Sequence, residues 1–133
     1  MEKKPVEKYY LGQCFNCAES VLRAANEQYG LGLDEKALCT AGGFGGGMAS
    51  GSACGALCGA IQALGAAMLS GRAADCPGFR DKCGAYFRSF EEALGSSLCA
   101  ELGPKYKNPT ARCYTVVRTA YELLEKAMED KGE

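Results

Sequence analysis

Gly42-Gly43-Phe44-Gly45-Gly46-Gly47-Met48-Ala49-Ser50-Gly51-Ser52-Ala53-Cys54-Gly55-Ala56-Leu57-Cys58-Gly59-Ala60-Ile61-Gln62-Ala63-Leu64 is the stretch on which the fold turns. Its first part carries too many glycines for a stable helix interior, so residues 41–51 read as a loop. Its second part reads as a helix from Ala53 to about Leu69, capped by Ser52 and closed by Gly71. Gly55, Gly59, Ala63 and Ala66 or Ala67 form a ridge of small residues. Leu57, Ile61, Leu64 and Met68 form a bulkier one. The small ridge predicts that another backbone packs closely against this helix.

Working outward, the helical pattern continues. Asn16 to Tyr29 places Ala18, Val21, Leu22, Ala25 and Tyr29 at spacings of three and four, with Gly30 as a stop. Asp34 can cap a short helix from Glu35 to Thr40. Pro77 can open another that runs to Leu94, before Gly95. Ser97 to Leu102 reads as a short turn ahead of Gly103-Pro104. The last helix is expected to start at Asn108 and Pro109. Its apolar stripe is Cys113, Val116, Val117, Ala120, Leu123, Leu124, Ala127 and Met128. No stretch alternates as a strand would. The fold class predicted is all-α, a compact bundle of about five helices with a glycine-rich loop before the central helix. Residues 1–133 are expected to form a single cysteine-rich domain, with 1–8 and 130–133 as flexible tails.

Composition narrows the chemistry. The chain has 9 cysteines and no histidine. The commonest general base and the usual haem ligand are therefore missing, and the chemistry must run on sulfur. A formal net charge of -1 and a pI of about 5.6 argue against nucleic acid and against an anionic membrane surface. The apolar run from Cys54 to Leu69, about 16 residues, is shorter than a membrane span. The charged start, Met1-Glu2-Lys3-Lys4-Pro5, is unlike a signal peptide. A cytoplasmic location is the expectation, and it favours metal-binding or redox-active cysteines over structural disulfides.

Several cysteines have telling settings. Cys14 and Cys17 form a C-x-x-C pair beside a helix start, where amides favour thiolate. Ala18 follows, not histidine, so this is no c-type haem attachment site. Cys54 sits in a first helical turn behind the glycine loop, and amide dipoles there are expected to depress its pKa. Cys58 lies one turn further on. The loop amides could form an anion nest for thiolate, cluster sulfide or phosphate. The plain alternative for any one cysteine is a small buried hydrophobe. Acid pairs such as Glu91-Glu92 read as solvated helix faces. Tyr9 and Tyr10, like Tyr86 and Phe87, read as core or rim aromatics. Tyr114 is an unselected candidate proton donor.

Laid out in this way, the chain resembles the C_GCAxxG_C_C family of redox-active proteins from about Gln13 to Leu124. The first motif cysteine falls on Cys17, in Asn16-Cys17-Ala18-Glu19-Ser20. The glycine loop matches Gly42 to Gly47. The central motif is Cys54-Gly55-Ala56-Leu57-Cys58-Gly59. The third cysteine is Cys99 and the fourth Cys113. The resemblance implies a small helical redox domain whose working sulfurs are Cys17, Cys54, Cys99 and Cys113. Gly45, Gly46, Gly47, Gly55 and Gly59 would then line a cofactor or sulfur pocket. A related domain is similar to the iron–sulfur part of split-Soret cytochrome c, which implies an iron–sulfur cluster, [2Fe–2S] before other types, as one cofactor reading. Cys14, Cys39, Cys58, Cys76 and Cys83 are additional to the motif, and Cys14 and Cys58 are substitute ligands.

Four readings stay open at this point, the plainest being a helical interaction protein whose cysteines merely pack. The four cysteines could ligate a cluster for electron transfer. They could cycle a dithiol and a disulfide, with Cys54 attacking and Cys17 or Cys99 resolving. They could hold structural zinc. The cluster and dithiol readings make the chain an electron-transfer protein or oxidoreductase. The expected partner is a redox protein or a small-molecule electron donor or acceptor. The oligomeric state, a homodimer included, is left open.

Overall fold

The computed structural model describes residues 4–129. Those residues form seven α-helices and no strand: α1 (Pro5–Glu7), α2 (Cys17–Tyr29), α3 (Glu35–Cys39), α4 (Gly55–Met68), α5 (Phe79–Leu94), α6 (Cys99–Tyr106) and α7 (Tyr114–Glu129). The all-α class is as expected, with two more helices than the five predicted. None of them is long and apolar enough to cross a membrane.

α2 begins with a full capping box. The Asn16 side chain accepts from the Glu19 amide, and the Glu19 carboxylate accepts from the Asn16 amide. Gly30 ends it in a left-handed conformation at φ 60°. Asp34 caps α3 by accepting from the Ala37 amide. α5 runs into Gly95, at φ 89°.

Four boundaries differ from the sequence reading. α5 opens at Phe79, after Gly78 in a left-handed conformation at φ 87°, so Pro77 lies in the turn before the helix and does not begin it. α4 starts at Gly55, with Cys54 as its cap residue, and Ser52 provides no side-chain cap. The Ser52 carbonyl instead accepts from the Cys99 amide at 2.7 Å, and the Cys54 amide donates to the Ser97 carbonyl at 2.7 Å. This crossing ties the start of α4 to the start of α6. The expected turn at Ser97 to Leu102 becomes α6, which runs through Gly103-Pro104. Gly103 has no Cβ to clash with the proline ring, so the break usually seen before proline is relieved. α7 starts at Tyr114, not at Asn108. The Asn108 side chain accepts from the Thr110 and Ala111 amides and closes a tight turn instead of capping a helix.

Residues 5–8, expected as tail, are packed helical backbone. Val6 in α1 is fully buried, and Lys4 pairs with Glu125 of α7 at 3.0 Å. The remaining predicted tail residues, 1–3 and 130–133, lie outside the described residues.

One core joins these elements. Val21, Leu22, Leu57, Leu64, Phe90, Val117, Tyr121 and Leu124 are buried in it. The Tyr86 hydroxyl donates to the Ala120 carbonyl at 2.6 Å and so fastens α5 to α7 without leaving a polar orphan. The small ridge of α4 does pack against a backbone. A Cβ on Gly59 would stand 2.6 Å from the Ala18 carbonyl oxygen, and one on Gly55 would overlap the Cys17 sulfur.

These contacts give opposite signs to two like substitutions. Both Gly59 and Gly65 lie inside α4, where alanine gains up to about 1 kcal/mol of helix propensity. Around Gly65 the nearest atom to a new Cβ is 3.8 Å away, so Gly65→Ala should be neutral or stabilising. Gly59→Ala must push α2 and α4 apart, and a net loss of about 1–3 kcal/mol is expected. Urea denaturation of the two variants beside the parent checks this.

Candidate functional site

Cys17 is the first residue of α2, where helix amides have no intrahelical partner. Its own amide and those of Ala18 and Gly46 lie toward the sulfur and favour its thiolate form. Gly46 delivers its amide from a left-handed conformation, at φ 67°. Gly47, Met48 and Ala49 continue in that conformation, at φ 65°, 61° and 57°. The glycine segment is thus a left-handed turn that curls against the sulfur. Two of its residues carry a Cβ, which costs of the order of 1–2 kcal/mol each.

Cys54 sits at the mouth of α4, buried to 5% exposure, and the amides of Ala56 and Leu57 point at its sulfur. Cys99 opens α6. A Cβ on Gly47 would stand 2.8 Å from the Cys99 Cβ, so only glycine lets the loop come this close. Cys113 precedes α7, and its carbonyl accepts the first helical bond, from Val117. Its amide donates to the Tyr10 hydroxyl at 3.0 Å.

The four helix starts bring these sulfurs into one neighbourhood. The charge of Cys17 acts on Cys54, Cys58 and Cys113, and that of Cys99 acts on Cys17, Cys54 and Cys113. Cys17 is the common member. Cys58, one turn beyond Cys54, faces it as well. Cys14 lies apart. It is exposed, in a left-handed conformation at φ 61°, and it is not among the groups that chiefly shape those thiols. The C-x-x-C spacing thus pairs an exposed cysteine with a half-buried one. Cys39 and Cys76 take weak bonds elsewhere, to Glu35 and to the Met68 carbonyl.

The glycines divide into two kinds. Gly46 supplies an amide to Cys17. Gly45, Gly47, Gly55 and Gly59 supply room: a Cβ on them would meet Asn16, Cys99, Cys17 and Ala18 respectively. All nine cysteines are free thiols.

Burial overrides the amides. The Cys54 thiol was expected below its ordinary value, yet desolvation pushes it from 9.0 up to about 12. The amides of Leu57 and Ala56 only soften that rise. Cys17 is likewise raised by burial, against those three amides. Cys58 is raised by burial and by the nearby Cys17. Burial raises Cys113 too, but Lys107 and Arg112 pull the other way. Among the raised thiols of this neighbourhood, Cys113 is the one that has cations acting to lower it.

Three side chains of the site carry no motif in the sequence. Tyr10 is 4% exposed, and its ring carries the Arg112 guanidinium 3.9 Å from the centroid. Arg112 also donates to the Tyr10 carbonyl. Tyr10 and Cys113 are about a hundred positions apart, so no local signal links them. Lys107 is one of two lysines that follow Pro104, with no motif around it. Tyr114, the earlier candidate, stacks on Tyr10 with ring centroids 6.3 Å apart.

Thiolates are the right donors for an iron–sulfur cluster or for zinc. Among the described residues, no three Cys, Asp or Glu side chains are disposed to hold a metal ion.

A family model described as "Putative redox-active protein (C_GCAxxG_C_C)" matches residues 15–127. The match covers every cysteine of the neighbourhood just described. No curated protein and no solved structure matches the chain.

The raised Cys54 thiol makes a stability prediction. The folded state holds this proton more tightly than the unfolded state does. Its contribution is therefore complete below 9.0 and is lost as pH rises toward about 12. Under reducing conditions the parent should lose about 2 kcal/mol more than Cys54→Ala between about pH 8 and about pH 10.5. Urea titrations of both proteins at the two pH values read the difference. Equal losses would remove the buried thiol as the cause.

Proposed function

This chain belongs to the C_GCAxxG_C_C family of redox-active proteins, and from that premise we propose that it works by thiol–disulfide exchange. The observation that carries the reading is the convergence of thiols from α2, α4, α6 and α7 on Cys17, with no three of them set to ligate a metal.

The roles follow from burial and charge. Cys113 faces a groove and has cations beside it, so its thiolate attacks one sulfur of a disulfide substrate. The substrate S–S bond breaks, and its first half leaves as a thiolate that takes a proton from water. Cys17 resolves. Its thiol gives up a proton to solvent, and the resulting thiolate is held by the amides of Gly46 and Ala18. It attacks the Cys113 sulfur, and the second half of the substrate leaves. Two protein thiols have then become one disulfide, and two electrons have reached the substrate. A dithiol reductant, protein or small molecule, restores the pair by the reverse exchange. Cys99 shares the groove and is the neighbouring thiol that can trap the same intermediate. Cys54 is too strongly held as thiol to attack first. It is the most buried of the nine sulfurs.

Anaerobic purification followed by thiol counting tests this. The reduced protein should be colourless and free of iron and acid-labile sulfide. Treatment with one equivalent of a two-electron oxidant should remove two titratable thiols without forming dimers. Cys17→Ser should slow that internal oxidation by about tenfold or more, since only the neighbouring Cys99 is then left to resolve the adduct. A brown protein with stoichiometric iron and sulfide would overturn the proposal in favour of a cluster. Tightly held zinc that blocks the thiols would overturn it in favour of a structural site.

A further inference from the structure

We propose that the groove between α6 and the start of α7 is a binding site for a small disulfide that carries carboxylates. This rests on the exchange reading above and adds the substrate class to it. The groove has a volume of about 640 Å³, and its lining includes Cys99, Pro104, Lys107, Pro109 and Cys113. That is the size of a small-ligand site. Two of the coupled sulfurs therefore meet solvent in the same place.

The charge around the groove is one-sided. Lys107 is exposed, lines the groove and takes part in no ion pair among the described residues. Lys107 and Arg112 are the cations that act on Cys113. No carboxylate lines the groove. The single acid on α6, Glu101, accepts a hydrogen bond from the Ser96 hydroxyl. Lys105 is turned away, toward the Leu94 carbonyl and the Tyr106 ring. An unpaired ammonium beside a nucleophilic sulfur favours a disulfide with a negative group near its S–S bond. It disfavours one with an ammonium there. The same charge helps the leaving thiolate depart, and that thiolate then takes its proton from water.

The test uses the full chain with the two exposed cysteines removed, Cys14→Ser and Cys39→Ser. Three probe disulfides are used: anionic dithiobis(nitrobenzoate), neutral dithiodipyridine and cationic cystamine. Each rate is divided by that of free mercaptoethanol with the same probe, which removes intrinsic reactivity. At low ionic strength the anionic probe should be favoured over the neutral one by about fivefold, and the advantage should fade toward about 0.5 M salt. Lys107→Glu should slow the anionic probe and speed cystamine, each by about fivefold. Peptide mapping should find the adduct on Cys99 or Cys113. Rates independent of probe charge, or unchanged in Lys107→Glu, overturn the substrate class while leaving exchange chemistry intact. If neither Cys99 nor Cys113 reacts with any probe, the exchange reading falls with it.

Discussion

Two missing side chains, those of Gly55 and Gly59, set how close α2 and α4 can come. The sulfur of Cys17 and the backbone of Ala18 occupy the space that a Cβ at either position would need. Everything at the site follows from that contact. It lays the start of α2 across the start of α4, so the amide-rich ends of two helices open toward each other. The left-handed turn of the glycine segment then fits over the gap and adds the Gly46 amide. The crossed bonds from Cys54 to Ser97 and from Cys99 to Ser52 bring α6 to the same place. Cys113 arrives last, held by the Tyr10 hydroxyl.

The resulting neighbourhood is a contest between dehydration and hydrogen bonding. A thiolate at a helix start gains from nearby amides. Removal from water acts against it, and for a nearly enclosed sulfur that cost is larger. Cys54 shows the outcome, with two amides aimed at it and a thiol still pushed up to about 12. Reactivity therefore grades outward, from the most buried sulfur, Cys54, through Cys17 to the groove. Lys107 and Arg112 stand beside Cys113 and counter part of its burial. An arrangement of this kind keeps a reserve of protonated sulfur inside and exposes its working edge on one side. The amides that fail to ionise the inner thiols in the resting state become useful once a proton has left. In the exchange proposed above, they then hold the resolving thiolate.

Much of this was legible in the chain, and the failures have specific causes. Helix identity came through where spacing and caps agreed, as in Asn16 to Gly30 and around Asp34. The small ridge of α4 correctly foretold a close backbone. The ends of α4, α6 and α7 were misplaced because long-range bonds decide them. Ser52 looks like a cap until its carbonyl is seen to serve Cys99, and Asn108 looks like a cap until its side chain closes a turn. Val6 carries no periodic context at the chain's start, yet it is fully buried. The depressed pKa expected of Cys54 failed because sequence position predicts amides and not dehydration. Tyr10 and Lys107 were hidden for another reason: each matters through an element distant in sequence or through a groove that only the fold creates.

The central claim is spatial: sulfurs from α2, α4, α6 and α7 share one neighbourhood centred on Cys17. Disulfide mapping by mass spectrometry after limited oxidation with diamide measures it most directly. The account predicts that the dominant cross-linked peptide joins Cys17 to Cys113 or Cys99, within a monomer. Cross-links confined to Cys14, Cys39, Cys76 or Cys83, with Cys17 left as a free thiol, would contradict it.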